Sequence, residues 1–342
     1  MSHFPINQDG TPQSTMSDHS NTRAITYGRV HNLQHITVTT LAPRKDGYWV
    51  IFIHGGAWRD PAVTSESFKA TESILRDKSL PISGFASISY RLSAHPNHPQ
   101  DPRTTPPKDF QDAKHPDHIR DVEAALAFLQ NTYGFDARYV LVGHSCGATL
   151  AFQAVMGGVS GHREQAFNGS ADNPDNRVGF VSASPGPLPP QLKAQPTAIV
   201  GVAGIYDLRR LRDTHSDISA YQEFIEGPFG ADEVLWDGVS PAQMVGSRGV
   251  EGGWKSGRLV VLAHSKDDQL VDESQMEVMK AALGNWEKTG AQIPVQELSR
   301  RDRRLRVLPI SGAHDEAWEN GEQLAHAVTF AFEQLQEMGL AP

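Results

Sequence analysis

The chain has one cysteine, Cys146, in 342 residues. A single thiol excludes an intramolecular disulfide and fits a reducing compartment. Basic residues are also in short supply: 31 Lys and Arg stand against 40 Asp and Glu, a net charge of −9. That balance argues against nucleic acid or an anionic membrane as a partner. No apolar run approaches the length of a membrane span, and the opening MSHFPINQDG has no apolar signal core. No internal repeat is present. These absences lead us to expect a soluble cytoplasmic protein. Its length leaves room for one large α/β domain or two small ones.

What is present is organised around 139–152, YVLVGHSCGATLAF. Tyr139 to Val142 reads as a buried strand, and Ala148 to Met156 reads as helix. Between them stands Gly143-His144-Ser145-Cys146-Gly147. A serine flanked by glycines where a strand becomes a helix has the form of a nucleophile elbow. The turn is sharp, so the positions two before and two after the serine must lack bulk. Ser145 would then sit strained, with its Oγ exposed above the sheet edge. The backbone N–H of Cys146 would point to where an oxyanion forms, near the positive end of the new helix. The alternative reading is a glycine-rich turn that only packs tightly.

Along the chain, residues 1–23 are polar and aperiodic and read as a flexible tail. Residues 24–342 read as a single domain. Segment 35–40 (HITVTT) alternates like an edge strand, and 48–53 (YWVIFI) reads as a fully buried one. A first helix is expected over 65–78 with Phe68, Ile74 and Leu75 inward, followed by a strand at 85–90 (FASISY). Residues 94–117 form a long loop rich in Pro, His and Asp, placed after a strand end and hence near any active site. Its histidines, His95, His98, His115 and His118, match no metal-ligand spacing, so a solvated loop is expected. Helix resumes over 117–133, with Ile119, Val122, Leu126 and Leu129 on one face and Gly134 at its end. Residues 157–195 read as a second insertion at the surface. Buried strands follow at 197–204, 259–263 and 305–310. A closing helix over 317–338 carries Leu324, Val328, Ala331 and Leu335 on one face. Strands alternating with helices predict an α/β fold, a mostly parallel sheet covered on both faces.

An attacking serine needs a base, and the base needs an orienting acid. In α/β-hydrolase order these follow as Ser, Asp, His. His314 lies just after the last strand, where that fold delivers its histidine. The acid is expected after strand 259–263, where Asp267 and Asp268 are neighbours. Asp268 is preferred because the chain turns there into the next helix; Asp267 is the runner-up. Asp207, after the preceding strand, is a third candidate and reads more easily as a helix cap. The second half of an oxyanion hole is expected from 53–58 (IHGGAW), with Gly56 and Ala57 as donors beside Cys146. Each donor is worth about 3 kcal/mol in the transition state. Trp58 is either a wall of the substrate pocket or a core residue covering the loop.

With these residues in place, the chain resembles kynurenine formamidase of the fungal type, an arylformamidase of the α/β-hydrolase superfamily. The matching stretches are 53–61 (IHGGAWRDP), 90–93 (YRLS), 143–149 (GHSCGAT), 204–206 (GIY), His264-Ser265 with Asp268-Gln269-Leu270, and His314-Asp315. The first carries the family's His-Gly-Gly-x-Trp motif, where general esterases of this fold usually have a third glycine. The resemblance implies an α/β-hydrolase fold and a triad of Ser145, Asp268 and His314. It also implies oxyanion donors at Gly56 and Ala57. The implied reaction is hydrolysis of N-formyl-L-kynurenine to L-kynurenine and formate, in tryptophan breakdown toward NAD. No cofactor and no metal are implied, and the partner is a small-molecule substrate. Oligomeric state is left open, with a homodimer admitted. The tail and the insertions at 94–117 and 157–195 depart from the family pattern and bear on substrate access. Two other readings stand beside this one. One is a carboxylesterase acting on small aryl or acyl esters. The other is a non-catalytic binding protein on the same scaffold, against which the intact Ser145, Asp268 and His314 argue.

Overall fold

The computed structural model describes residues 21–158, 192–290 and 302–342. Most of the expected tail (1–20) and of the second insertion (159–191) lies outside the described residues. The strands are β1 (Asn21–Thr26), β2 (His35–Thr40), β3 (Tyr48–Ile53), β4 (Ile82–Ile88), β5 (Tyr139–His144), β6 (Ala198–Val202), β7 (Leu259–Ser265) and β8 (Arg304–Ile310). They form an eight-stranded sheet in the order β1-β2-β4-β3-β5-β6-β7-β8. From β4 to β8 the strands are parallel, and β2 runs antiparallel to both β1 and β4.

The helices are α1 (Lys69–Arg76), α2 (Asp117–Tyr133), α3 (Cys146–Gln153), α4 (Leu208–Thr214), α5 (Ser219–Phe229), α6 (Glu233–Val239), α7 (Val250–Gly253), α8 (Glu273–Gly290), α9 (Glu316–Glu319) and α10 (Glu322–Glu337). Because side chains alternate along a strand, the central strands divide one apolar sequence between two cores. Trp49, Ile51 and Ile53 of β3 pack on one face with Leu126, Leu129 and Phe152 from α2 and α3. Tyr48, Val50 and Phe52 pack on the other with Leu324, Val328 and Leu335 of α10. Such double coverage is why YWVIFI is apolar at every position. Among the described residues no helix is long and apolar enough to cross a membrane.

Three local expectations are corrected. Strand β2 is not the edge: β1 lies outside it, beginning at Asn21 within the stretch read as tail. Five of the six β1 residues are exposed, so its sequence carries no burial signal. The first helix is a 3-10 turn, Ser65–Phe68, followed by α1, with Phe68 and Leu75 buried and Ile74 only partly so. The closing helix is broken by Gly321, whose φ of 77° ends α9 and starts α10.

The loop at 94–117 is less solvated than its composition suggests. Ser93 Oγ donates to the Ala113 carbonyl at 2.6 Å, and the His115 N–H donates to the Pro228 carbonyl at 2.8 Å. His118 is buried with Nε2 3.2 Å from Ser93 Oγ, and His115 packs on Phe229. His95 and His98 stay at the surface, with ring centroids 4.8 Å apart. The four histidines share no metal site among the described residues.

Candidate active site

The turn between β5 and α3 has the geometry that its glycines require. Ser145 takes φ 54° and ψ −125°, a strained conformation for a residue with a side chain. A Cβ on Gly143 would run into the backbone of Gly147 and Ala148, and one on Gly147 into the carbonyl oxygens of Ile53 and His54. Both glycines are therefore dictated by close backbone approach. Ser145 itself is only 5 % exposed. It is reached through a cavity of about 390 Å³ rather than standing proud of the sheet.

His314 lines the same cavity. Its Nδ1 lies 2.8 Å from Asp268 Oδ2, and the Asp268 side chain is fully covered. The other oxygen, Oδ1, accepts the N–H groups of Leu270 and Val271, each at 2.9 Å. Burial alone would raise the Asp268 pKa. The hydrogen bond and charge of His314, with those two N–H groups, outweigh burial and hold it below the ordinary carboxylate range. An ionised carboxylate can only accept, so the His314 proton resides on Nδ1 and Nε2 is left as a base. Asp267 is exposed. Asp207 caps α4, accepting the Arg210 N–H at 2.9 Å.

The loop after β3 runs through three positive φ angles in succession: Gly56 (90°), Ala57 (48°) and Trp58 (60°). Two of these residues are not glycine, a strain of about 1–3 kcal/mol each. Surrounding contacts hold the loop there. The N–H groups of Arg59 and Asp60 both donate to the Gly56 carbonyl, at 2.9 and 2.8 Å. The Trp58 carbonyl accepts from Ser93 at 2.9 Å, and the Trp58 N–H donates to Cys146 Sγ at 3.3 Å. Tyr90 Oη lies 3.0 Å from the His54 carbonyl and 3.2 Å from that of Gly55. Gly56 and Ala57 line the cavity with Ser145.

Trp58 does not line it. Its ring is fully buried and edge-on to Phe229 at 5.0 Å, packed in the core beneath the loop. The apolar wall is supplied instead by α5, through Ala220, Tyr221 and Phe224. That helix went unread in the sequence, although Tyr221, Ile225 and Phe229 recur at helical spacing. Arg59, Asp60, His95 and Gln269 give the cavity its polar side.

One group of side chains among the described residues comes close enough to hold a metal: His144, His314 and Asp315, within 4.8 Å. His144 Nε2 is 3.0 Å from the His314 carbonyl and His314 Nδ1 is bound to Asp268. With Nδ1 so engaged, His314 would offer a cation its Nε2.

A sequence profile described as "Alpha/beta hydrolase family" matches residues 50–327. The chain belongs to the alpha/beta hydrolase family. It is 36 % identical over 304 residues to a kynurenine formamidase-like hydrolase, fscH, of Fusarium equiseti, covering 86 % of each chain. It is 31 % identical over 303 residues to the kynurenine formamidase avaC of Aspergillus versicolor, covering 83 % of this chain and 88 % of that one. Among solved structures, esterase B of Lactobacillus rhamnosis superposes with a TM-score of 0.56 at 16 % identity, over 94 % of this chain and 88 % of that one. A carbohydrate esterase from gut microbiota gives 0.55 at 17 %, over 93 % and 98 %. At such identity these two structures establish the fold alone.

Proposed function

We propose that the protein hydrolyses N-formyl-L-kynurenine to L-kynurenine and formate through Ser145, His314 and Asp268. The observation that carries the mechanism is the 2.8 Å contact of a buried, ionised Asp268 with Nδ1 of His314, which lines the cavity together with Ser145. The substrate reading is supported by two relatives that share most of this chain's length, one named a kynurenine formamidase and the other a kynurenine formamidase-like hydrolase.

The chemistry follows from the protonation states. His314 Nε2 takes the proton of Ser145 Oγ as Oγ bonds to the formyl carbon, and the carbonyl π electrons move to oxygen. The oxyanion is held by the N–H groups of Gly56, Ala57 and Cys146. The carbon–nitrogen bond then breaks, and the arylamine leaves with the proton from His314. Water, deprotonated by His314, attacks the formyl-serine and releases formate and free Ser145. Asp268 stabilises the imidazolium in both halves without taking its proton. Formyl is the smallest acyl group, so the acyl side needs little room. The aromatic leaving group lies against Tyr221 and Phe224.

The test is steady-state kinetics of the purified protein on N-formyl-L-kynurenine and on p-nitrophenyl acetate. A kcat/KM at least a hundredfold higher for the formamide is expected. A preference for the ester, the substrate class of the alternative reading, would refute the proposal. The protein is expected to act in the cytoplasm without cofactor or metal, on a small molecule and with no nucleic acid or membrane partner. Size-exclusion chromatography distinguishes a homodimer from a monomer.

A further inference from the structure

Formamide hydrolysis requires a nucleophile, a base, N–H donors and an apolar wall. The cavity has a further component that none of these roles uses. Arg59 follows Ala57 by two residues and lines the cavity, and its side chain is 12 % exposed. One guanidinium nitrogen, Nη1, lies 2.6 Å from Glu223 Oε1, whose side chain is 55 % exposed. Glu223 belongs to α5, between the wall residues Tyr221 and Phe224. The pair therefore bridges the oxyanion loop and the apolar wall. With the Glu223 side chain open to solvent, water screens the pair and its contribution to stability is small.

The surroundings make Arg59 electrostatically distinct. The other basic side chains on the cavity are His314, already bound to Asp268, and His95, which is close enough to feel Arg59, Asp60 and Glu223. Burial and the neighbouring guanidinium lower the His95 pKa from its ordinary value. At neutral pH Arg59 is thus the one fixed positive charge among the described residues of the cavity. Asp60 is partly committed, its Oδ1 accepting the Ala62 N–H at 2.8 Å.

We infer that the Arg59–Glu223 pair is the subsite for the α-amino-acid head of the substrate, Arg59 taking the carboxylate and Glu223 the ammonium. This rests on the formamidase reading above. In N-formyl-L-kynurenine the head hangs from the ring position beside the formamide, on a short ketone chain. With the ring on Tyr221 and Phe224 and the formamide at Ser145, the chain can turn toward the loop that carries Arg59. A guanidinium matches a carboxylate through two parallel N–H donors, and a preformed pair of opposite charges is the complement of a zwitterion. A neutral ester leaves this subsite unused, so the pair would act on specificity and not on bond cleavage.

Two measurements test it. In the first, Arg59→Gln should lower the ratio of kcat/KM for N-formyl-L-kynurenine to that for p-nitrophenyl acetate by at least thirtyfold, mainly through KM. Arg59→Lys, which keeps the charge and loses the fork, should lower it less than tenfold. The second needs no turnover: calorimetric titration of the Ser145→Ala protein with L-kynurenine, kynuramine (ammonium only) and 3-(2-aminobenzoyl)propanoate (carboxylate only). Adding Arg59→Gln should weaken the propanoate at least tenfold and kynuramine less than threefold; adding Glu223→Gln should do the reverse. Equal losses for all three ligands, or none, would overturn the subsite. A wild-type protein that cleaves the ester and leaves N-formyl-L-kynurenine intact would instead remove the formamidase reading itself.

Discussion

Cys146 Sγ accepts the backbone N–H of Trp58 at 3.3 Å, joining the nucleophile turn to the oxyanion loop. The side chain at position 146 is buried, and its sulfur has a bonding role as well as a packing one. Burial pushes the thiol up to about 11, against the lowering effect of nearby N–H groups and Tyr90. Cys146→Ala leaves the buried Trp58 N–H unpaired, at a cost of about 1–3 kcal/mol. A lowered Tm with turnover within about tenfold of wild type is expected, with Cys146→Ser falling between the two. Cys146→Pro, lacking the N–H, should be inactive. Native protein at pH 8 should resist iodoacetamide, whereas rapid labelling would mean that the thiol is accessible and ionised.

Replacing Ser145 tests the nucleophile. Ser145→Ala should lose about 10⁴-fold or more in kcat, because triad members act as a unit. Since the residue is small and alanine bears the same backbone strain, Tm should barely move. A fluorophosphonate probe should mark Ser145 by mass spectrometry; an adduct on Cys146 would overturn the serine mechanism.

The neighbouring aspartates separate by environment. Asp268→Asn should cost about 10⁴-fold in kcat, since an amide cannot hold the imidazole with its proton on Nδ1. Asp267→Asn, at an exposed position, should stay within twofold. Both variants are read by the same steady-state assay, and reversed results would assign the acid to Asp267.

Acid should destabilise the fold through buried neutral histidines. Burial is the main cause that lowers His54 and His115 to about 4, and His118 and His144 to about 3. In the unfolded chain each titrates near 6.5, about the ordinary value. Below that pH the unfolded state takes up protons that the folded state refuses. Each histidine then removes up to about 1.4 kcal/mol of stability per pH unit, until its folded pKa is reached. Stability should be full above about pH 6.5 and fall steeply toward pH 4. Thermal unfolding followed by circular dichroism from pH 7.5 to 4 checks this; a constant Tm between pH 7.5 and 5 would contradict it.

The parts of this protein that are legible in sequence are those whose cause is local. An uninterrupted apolar run such as YWVIFI reports burial on both faces of a sheet, and the spacing of Leu324, Val328, Ala331 and Leu335 reports a helix face. The glycines at 143 and 147 mark a turn whose backbone leaves no room for a Cβ. Strand-end positions then place Ser145, His314 and an acid near 268 on one edge of the sheet. Tertiary structure decided whatever depends on the registration of distant segments. It turned Asp268 inward and left Asp267 outside, and it put the Trp58 ring in the core against Phe229. It also laid a polar strand, β1, outside β2. It brought Arg59 to Glu223 across 164 residues of chain. None of these has a local pattern, because each depends on which surface another element presents once both are packed, and a single residue of register reverses that choice.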